Sequence, residues 1–310
     1  MFVRFLCLFF CFLIKPALAT ESIELGKITV QELEQIFSFY QYDGEKGYLM
    51  IPEYNYPPIF CNYFPSDFNT ITDEKKRNTL FIKILAPLTL KLNAEILSER
   101  KDIKSLAQSF QTNKQLTPEQ IKILEKKASK YDVFTRLRGD YRYQYLLDEL
   151  LKKVHVVAPS VLITAAALET NWGTSRIVKE GNSLYKTLIW HTSDGLKTIG
   201  ETEDDSYRIK TYHNIYDSMK EFALKLNSSI SFDNFRGIRH EILERRTLLL
   251  GSTLAPYLVW NSPLKNYAGL FEYTLSYYEL NIIDKSILNS KMISGKKPSF
   301  LKEFNYITKN

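Results

Sequence analysis

The chain is short of cysteine, histidine and long apolar runs, and each shortage closes off a class of protein. It holds three cysteines in 310 residues. Cys7 and Cys11 fall in residues 1–19, which read as a secretory signal, so the mature chain keeps Cys61 alone and is excluded from forming an intramolecular disulfide. The four histidines, His155, His191, His213 and His240, lack metal-ligand spacing. Beyond the signal no segment approaches the roughly twenty consecutive apolar residues that crossing a bilayer takes. Gly173, Gly181, Gly195 and Gly200 make no phosphate loop, and there is no Gly-x-Ser-x-Gly elbow. The net charge of +6 includes Arg4 and Lys15 of the signal, and no basic-aromatic stripe argues for nucleic acid. No cofactor, no metal and no nucleic-acid partner are expected.

What is present is apolar and aromatic. Hydrophobic residues make up 45% of the chain and aromatic residues 14%, enough for one good core and a smaller region. Arg4 precedes an apolar run from Phe5 to Ile14, and Pro16 leads into Ala17-Leu18-Ala19, a small-x-small cleavage pattern. The expectation is cleavage between Ala19 and Thr20, export to the periplasm or cell envelope, and no stable membrane insertion afterwards. Lys15 interrupts the end of the signal.

Four regions follow the signal. After residues 1–19, residues 20–70 are rich in tyrosine, phenylalanine and proline, with Tyr40, Tyr42, Tyr48, Tyr54, Tyr56 and Tyr63 among Pro52, Pro57, Pro58 and Pro65. Such proline spacing breaks helices, so irregular structure with a few short elements laid over the core is expected, with packing ahead of sugar binding as the role of the aromatics. Residues 71–144 read as helices. Leu80, Phe81, Ile84, Leu85, Leu88, Leu92 and Ile96 recur at helical spacing, from a start near Thr72-Asp73-Glu74, with a bend expected at Pro87. Thr117-Pro118-Glu119-Gln120 is a capping box with proline in the first turn, and its helix should end near Lys130. Residues 145–284 form the main functional unit, with helices predicted from Tyr145 to Val154, from Pro159, and again from Asp217 to about Ile283. Between them Tyr207, Ile209 and Thr211 alternate with Arg208 and Lys210, a small β-lobe. The tail, residues 285–310, is basic and weakly patterned, and is expected to be mobile. The fold class is mainly α.

The segment PSVLITAAALETNWGTSR, Pro159 to Arg176, carries the chemistry. Val161, Leu162, Ala165, Ala166 and Leu168 supply apolar surface, and Glu169 lies four residues after Ala165 and three after Ala166, on the same side. A carboxyl held against apolar surface resists ionisation and stays protonated toward neutral pH, the state a general acid needs. Trp172 and Gly173 follow at once, an aromatic plate and a permissive backbone that suit a sugar ring. The competing role for Glu169 is a salt bridge to Arg176.

The run AALETNWGTSR…EGNSLY…W resembles the bacterial Bax-type N-acetylglucosaminidases, members of the glucosaminidase family of flagellar-rod peptidoglycan hydrolases and autolysins. The usual family wording is close to ALESGWGTSRFA…GNNLFG.W, and this chain departs from it at Thr170-Asn171 and at Tyr185-Lys186. The resemblance covers Leu80 to Asp284, and its specificity comes from the Ala-Leu-Glu-x-x-Trp-Gly-Thr-Ser-Arg core. It implies a lysozyme-like helical domain with a small β-lobe, acting on peptidoglycan glycan strands and cleaving the β-1,4 bond after N-acetylglucosamine. Glu169 becomes the proton donor. A second acid is implied in the lobe, where Glu201, Glu203, Asp204 and Asp205 lie together; Glu203 ranks first and Glu201 second, against the alternative of an acidic turn facing water. Tyr267 resembles a family tyrosine facing the cleft, and Trp172 and Trp190 are the sugar-stacking candidates, with Asn182 orienting the cleft through hydrogen bonds. Two other functions remain open on the same fold, a lytic transglycosylase with one acid and a non-catalytic wall-binding or scaffold protein. Transglycosylases carry a Gly-Leu-Met-Gln run that this chain lacks.

Overall fold

The computed structural model describes residues 21–43, 55–190, 194–197, 207–258 and 266–295, and the backbone of 306–309. The N-terminal region gives β1 (Ser22–Leu25), α1 (Val30–Phe39), β2 (Asn55–Tyr56) and β3 (Ile59–Cys61). Five helices follow, α2 (Glu74–Asn113), α3 (Pro118–Lys130), α4 (Gly139–Lys153), α5 (Pro159–Thr170) and α6 (Arg176–Gly181). Strands β4 (Leu188–Trp190) and β5 (Tyr207–Ile209) make the lobe. The rest is α7 (Ile215–Ser228), α8 (Asp233–Glu244), α9 (Gly251–Leu254), α10 (Tyr267–Tyr277), β6 (Ile287–Leu288) and β7 (Tyr306–Lys309). The fold is mainly α, as the periodicity predicts.

At the centre is α5. Every residue from Pro159 to Ala167 is buried, Ser160 and Thr164 included. A helix apolar on all sides needs partners on all sides, and α5 has α2, α9, α10 and the 3₁₀ segment Leu280–Lys285 around it. The single apolar stripe expected for this helix is thus a complete sheath. Only the last turn, with Leu168 and Glu169, reaches partial exposure.

The longest element is α2, 40 residues, buried on all sides from Leu80 to Leu90 and along one flank after that. It starts after Asp73, whose carboxylate accepts from the Lys76 N–H at 3.1 Å. Pro87 lies inside it. Proline has no N–H, so the Lys83 carbonyl four residues earlier loses its helical partner. The hydroxyl of Tyr42 donates to that carbonyl at 3.2 Å, and Tyr42 is 1% exposed. The aromatic N-terminal region therefore closes a hydrogen-bond gap in the long helix. Tyr40 and Tyr56 are buried as well, so packing is their role; Tyr48 and Tyr54 lie outside the described residues.

Buried arginines fasten the middle of the chain. Arg239 of α8, 1% exposed, donates to the carbonyls of Lys153 at 2.8 Å, Val156 at 3.1 Å and His155 at 3.2 Å, and to Oδ1 of Asn227 at 2.5 Å. Arg100 of α2 donates to the Val154 carbonyl at 2.8 Å and to that of Leu151. The last carbonyls of a helix have no partner within it, and these two guanidiniums supply them for α4. Burial pulls Arg239 down to about 9, with Arg236 and Arg100 adding to the effect.

Several boundaries differ from expectation, each for a local reason. The α3 helix matches its predicted span, with both halves of the Thr117–Gln120 capping box formed. The next helix starts at Gly139 rather than Tyr145, because its N-cap, Arg138, makes no side-chain bond and leaves no signature. The α7 start moves back to Ile215, where Asn214 accepts from the Asp217 N–H at 2.8 Å. The described part of residues 20–70 holds a few short elements, as expected. Thr29 and Glu32 close a capping box at 3.3 and 2.6 Å and launch α1. The tail corrects the expectation of mobility. Strand β6 pairs in parallel with β2, and β7 pairs antiparallel with β1, which also pairs in parallel with β3. The lobe pairing is antiparallel, with Leu188 opposite Ile209 and Trp190 opposite Tyr207. Residues 1–20, the proposed signal, and the lobe residues 191–193 and 198–206 lie outside the described residues.

Candidate active site

The carboxyl of Glu169 opens into a cleft of about 480 Å³. Ala165, Tyr185, Lys186, Trp190, Phe222, Tyr267 and Phe271 line it beside Glu169. Among the described residues lining it, Glu169 is the single carboxyl. Burial pushes its pKa up from the ordinary range, and the Lys186 ammonium pulls it part of the way back. Arg176, the alternative partner for Glu169, pairs instead with Glu180 at 3.0 Å. The site therefore holds a carboxyl that favours its protonated form beside apolar and aromatic surface, the arrangement a general acid requires.

Tyr267 stands at the first position of α10. Its hydroxyl is pushed well above the ordinary phenol range, first by burial and then by the proximity of Glu169. It therefore stays protonated near neutrality and can donate a hydrogen bond into the cleft. Trp190 is 58% exposed and tilts 53° against the ring of Tyr207 across the lobe strands, at 5.2 Å. Its outer face remains open to a sugar ring.

The edge next to Lys186 is rigid. The ring of Tyr185 stacks on Phe222 at 4.1 Å and 9°, and its hydroxyl donates to the Leu162 carbonyl at 3.2 Å. The Leu184 N–H donates to Ser218 Oγ at 2.9 Å. Lys186 then adopts φ of 45°, left-handed backbone that favours glycine and costs other residues roughly 1–2 kcal/mol. The resembling family has glycine there, so the departure puts a charged side chain on a backbone shaped for none.

Trp172, Gly173 and Asn182 are placed elsewhere. Three consecutive residues, Asn171, Trp172 and Gly173, have φ of 48°, 57° and 79°. The turn is held by Thr170, whose Oγ1 accepts from the Gly173 N–H at 3.0 Å while its own hydroxyl donates to the Ala166 carbonyl at 2.5 Å. The turn drives Trp172 into an aromatic cluster, 4.6 Å from Tyr278 and 5.6 Å from Phe81. A Cβ on Gly173 would come within 3.1–3.2 Å of Phe64, Phe68 and Phe81. Asn182 ends α6 in left-handed backbone, and its side-chain amide donates to the carbonyls of Tyr212 and His213 at 3.0 and 3.3 Å. Gly173 and Asn182 border a separate cavity of about 280 Å³. Trp172 and Gly173 pack against this cluster at the C-terminal end of the helix that carries Glu169. Asn182 does orient backbone by hydrogen bonds, at the entry to the lobe. Glu201, Glu203, Asp204 and Asp205 lie outside the described residues.

Asp284 is the residue that sequence reasoning passed over. Its carboxylate accepts from the N–H of Ser160 at 2.9 Å, the hydroxyl of Ser160 at 2.7 Å and the N–H of Gly251 at 2.8 Å. It serves the first turn of α5, where the N-cap residue, Ala158, has no side-chain acceptor. An acceptor supplied from so far along the chain leaves no local pattern to read.

Among the described residues no group of three or more His, Cys, Asp or Glu gathers as a metal site, and no helix is long and apolar enough to cross a membrane. Cys61 is buried, and burial raises its thiol to about 12.

Residues 144–279 match the glucosaminidase family, described as mannosyl-glycoprotein endo-beta-N-acetylglucosaminidase. That likeness supports a glycosidase-type enzyme. The chain is also 25% identical over 170 residues to Protein bax of Escherichia coli (strain K12), over 54% of this chain and 56% of that protein. The chain thus spans little more than half the length of this curated relative. No solved structure matches. Both likenesses support a Bax-type glucosaminidase assignment for this part of the chain.

Proposed function

We propose that the protein is an exported peptidoglycan hydrolase that cleaves the β-1,4 bond after N-acetylglucosamine, with Glu169 as its general acid. The observation carrying this reading is the lone described carboxyl of the cleft, half-buried and biased toward its protonated form. Glu169 gives its proton to the glycosidic oxygen as the bond to the anomeric carbon breaks, and the departing sugar keeps the bonding electrons. Water then adds to the anomeric carbon and its surplus proton leaves through a base. Glu203 is the first choice for that base or for steadying the cationic centre, and Glu201 the second. Tyr267 positions water or the N-acetyl group from across the cleft, and Trp190 offers its open face to a ring.

Mass spectrometry of digested peptidoglycan tests the reading. Reducing N-acetylglucosamine ends are expected. Anhydro-muramyl ends would make the protein a lytic transglycosylase, and intact glycan would make it a wall-binding or scaffold protein. Export is tested by the N-terminus of the secreted chain, expected at Thr20; full-length protein retained in the membrane would show an uncleaved anchor.

A further inference from the structure

The Glu169 cleft carries an exposed lysine, Lys186, in its described lining. Its described lining holds two lysines, Lys186 and Lys225, against one carboxyl that burial favours in the neutral form. A chain of neutral N-acetylated sugars has no charge to offer the Lys186 ammonium. Lys186 is exposed, and among the described residues it donates no hydrogen bond and joins no salt bridge, although it lies near enough to pull on Glu169. It sits on left-handed backbone where glycine is at home, and strain of this kind at a ligand cleft points to a use for the side chain. Its base is fixed by the Tyr185–Phe222 stack and the Ser218 bond to Leu184. An ammonium on a rigid footing, aimed at a glycan cleft and lacking a described partner, matches a carboxylate on the ligand.

We propose that Lys186 is a specificity residue that receives a carboxylate carried by the bound glycan, so that the cleft takes an anionic glycan in preference to a neutral one. This rests on the reading of the cleft as a glycan site. In peptidoglycan the carboxylate has two sources, the lactyl ether of the sugar when no peptide is attached, and the peptide stem when one is. The shared requirement is a carboxylate within reach of Lys186.

The test is calorimetric binding to the full chain carrying Glu169→Gln, which prevents turnover during the titration. Three soluble glycans of equal length serve as ligands: one with free lactyl carboxylates, the same with those carboxyls reduced to alcohols, and one bearing peptide stems. The carboxylate forms are expected to bind about fivefold more tightly than the reduced form at low salt, the scale of one exposed ion pair, with the gap closing as salt rises. Adding Lys186→Gln should bring the ratio near one, and Lys186→Arg should keep it. Lys186→Gly removes the charge and relieves the backbone, so loss of the preference with an unchanged or higher melting temperature separates charge from folding. Lys186-dependent binding of the peptide-free carboxylate glycan names the lactyl group as the source; dependence confined to the peptide-bearing glycan names the stem. Equal binding of the carboxylate and reduced glycans, or a preference that survives Lys186→Gln, overturns the proposal and leaves the glycosidase reading standing. Binding of none of the three removes both.

Discussion

Ser160 and Asp284 meet through two hydrogen bonds although 124 positions separate them in the chain, backbone N–H to Oδ1 at 2.9 Å and hydroxyl to Oδ2 at 2.7 Å. The carboxylate caps the buried α5 helix from outside and ties it to Gly251 at the start of α9. The contact holds the first turn of α5, the helix whose last turn carries Glu169, the proposed acid.

Asp284→Ala should lower stability by about 2–4 kcal/mol, since buried donors lose their acceptor. Urea denaturation reads the loss. The pH dependence has a defined sign. Burial raises Asp284 from 3.8 to about 6 in the folded state. The folded chain therefore holds this proton more tightly than the unfolded chain, and the stability it contributes is full below pH 3.8 and lost as pH rises through 6. Asp284→Asn should remove that slope.

Glu169→Gln should reduce glycan cleavage about a hundredfold or more, the scale of general acid catalysis, while binding to insoluble peptidoglycan persists. A general acid must be protonated, so wild-type activity should fall as pH rises through the Glu169 pKa, at a higher pH than an ordinary carboxyl would give. Lys186→Gly removes the opposing pull and should move that alkaline limb upward. An unmoved limb shows that another group sets it.

Replacing the lobe acids one at a time decides the second group. Glu203→Gln is expected to slow turnover most and Glu201→Gln less, in single-turnover assays with intact glycan. If neither changes the rate, nor Asp204→Asn or Asp205→Asn, then Tyr267→Phe becomes the informative variant.

The contact between Tyr42 and Lys83 is open to a double-mutant cycle. Tyr42→Phe leaves the Lys83 carbonyl without its donor and should cost about 1–3 kcal/mol. In a Pro87→Ala background the helix regains an N–H for that carbonyl, so the same substitution should cost less. Equal costs in both backgrounds would show that the hydroxyl serves some other purpose.

The sequence by itself determined the helical class, the α3 span and the candidate for the acid, because these depend on neighbours within a turn or two. Helical periodicity, a capping box and a carboxyl three and four residues from buried alanines are local facts. The Thr29–Glu32 box was equally local, and the prolines that follow obscured it. Tertiary structure alone decided what Trp172 does: a tryptophan beside an acid is the same letter in a sugar plate and in a packing cluster, and three left-handed residues turn it toward Phe81 and Tyr278. It also decided that the basic tail pairs with the first strand, that a tyrosine from the N-terminal region completes the long helix at Pro87, and that Asp284 caps the helix bearing Glu169. Each of these joins groups far apart in the chain, and such contacts exist only once the core has brought the elements together.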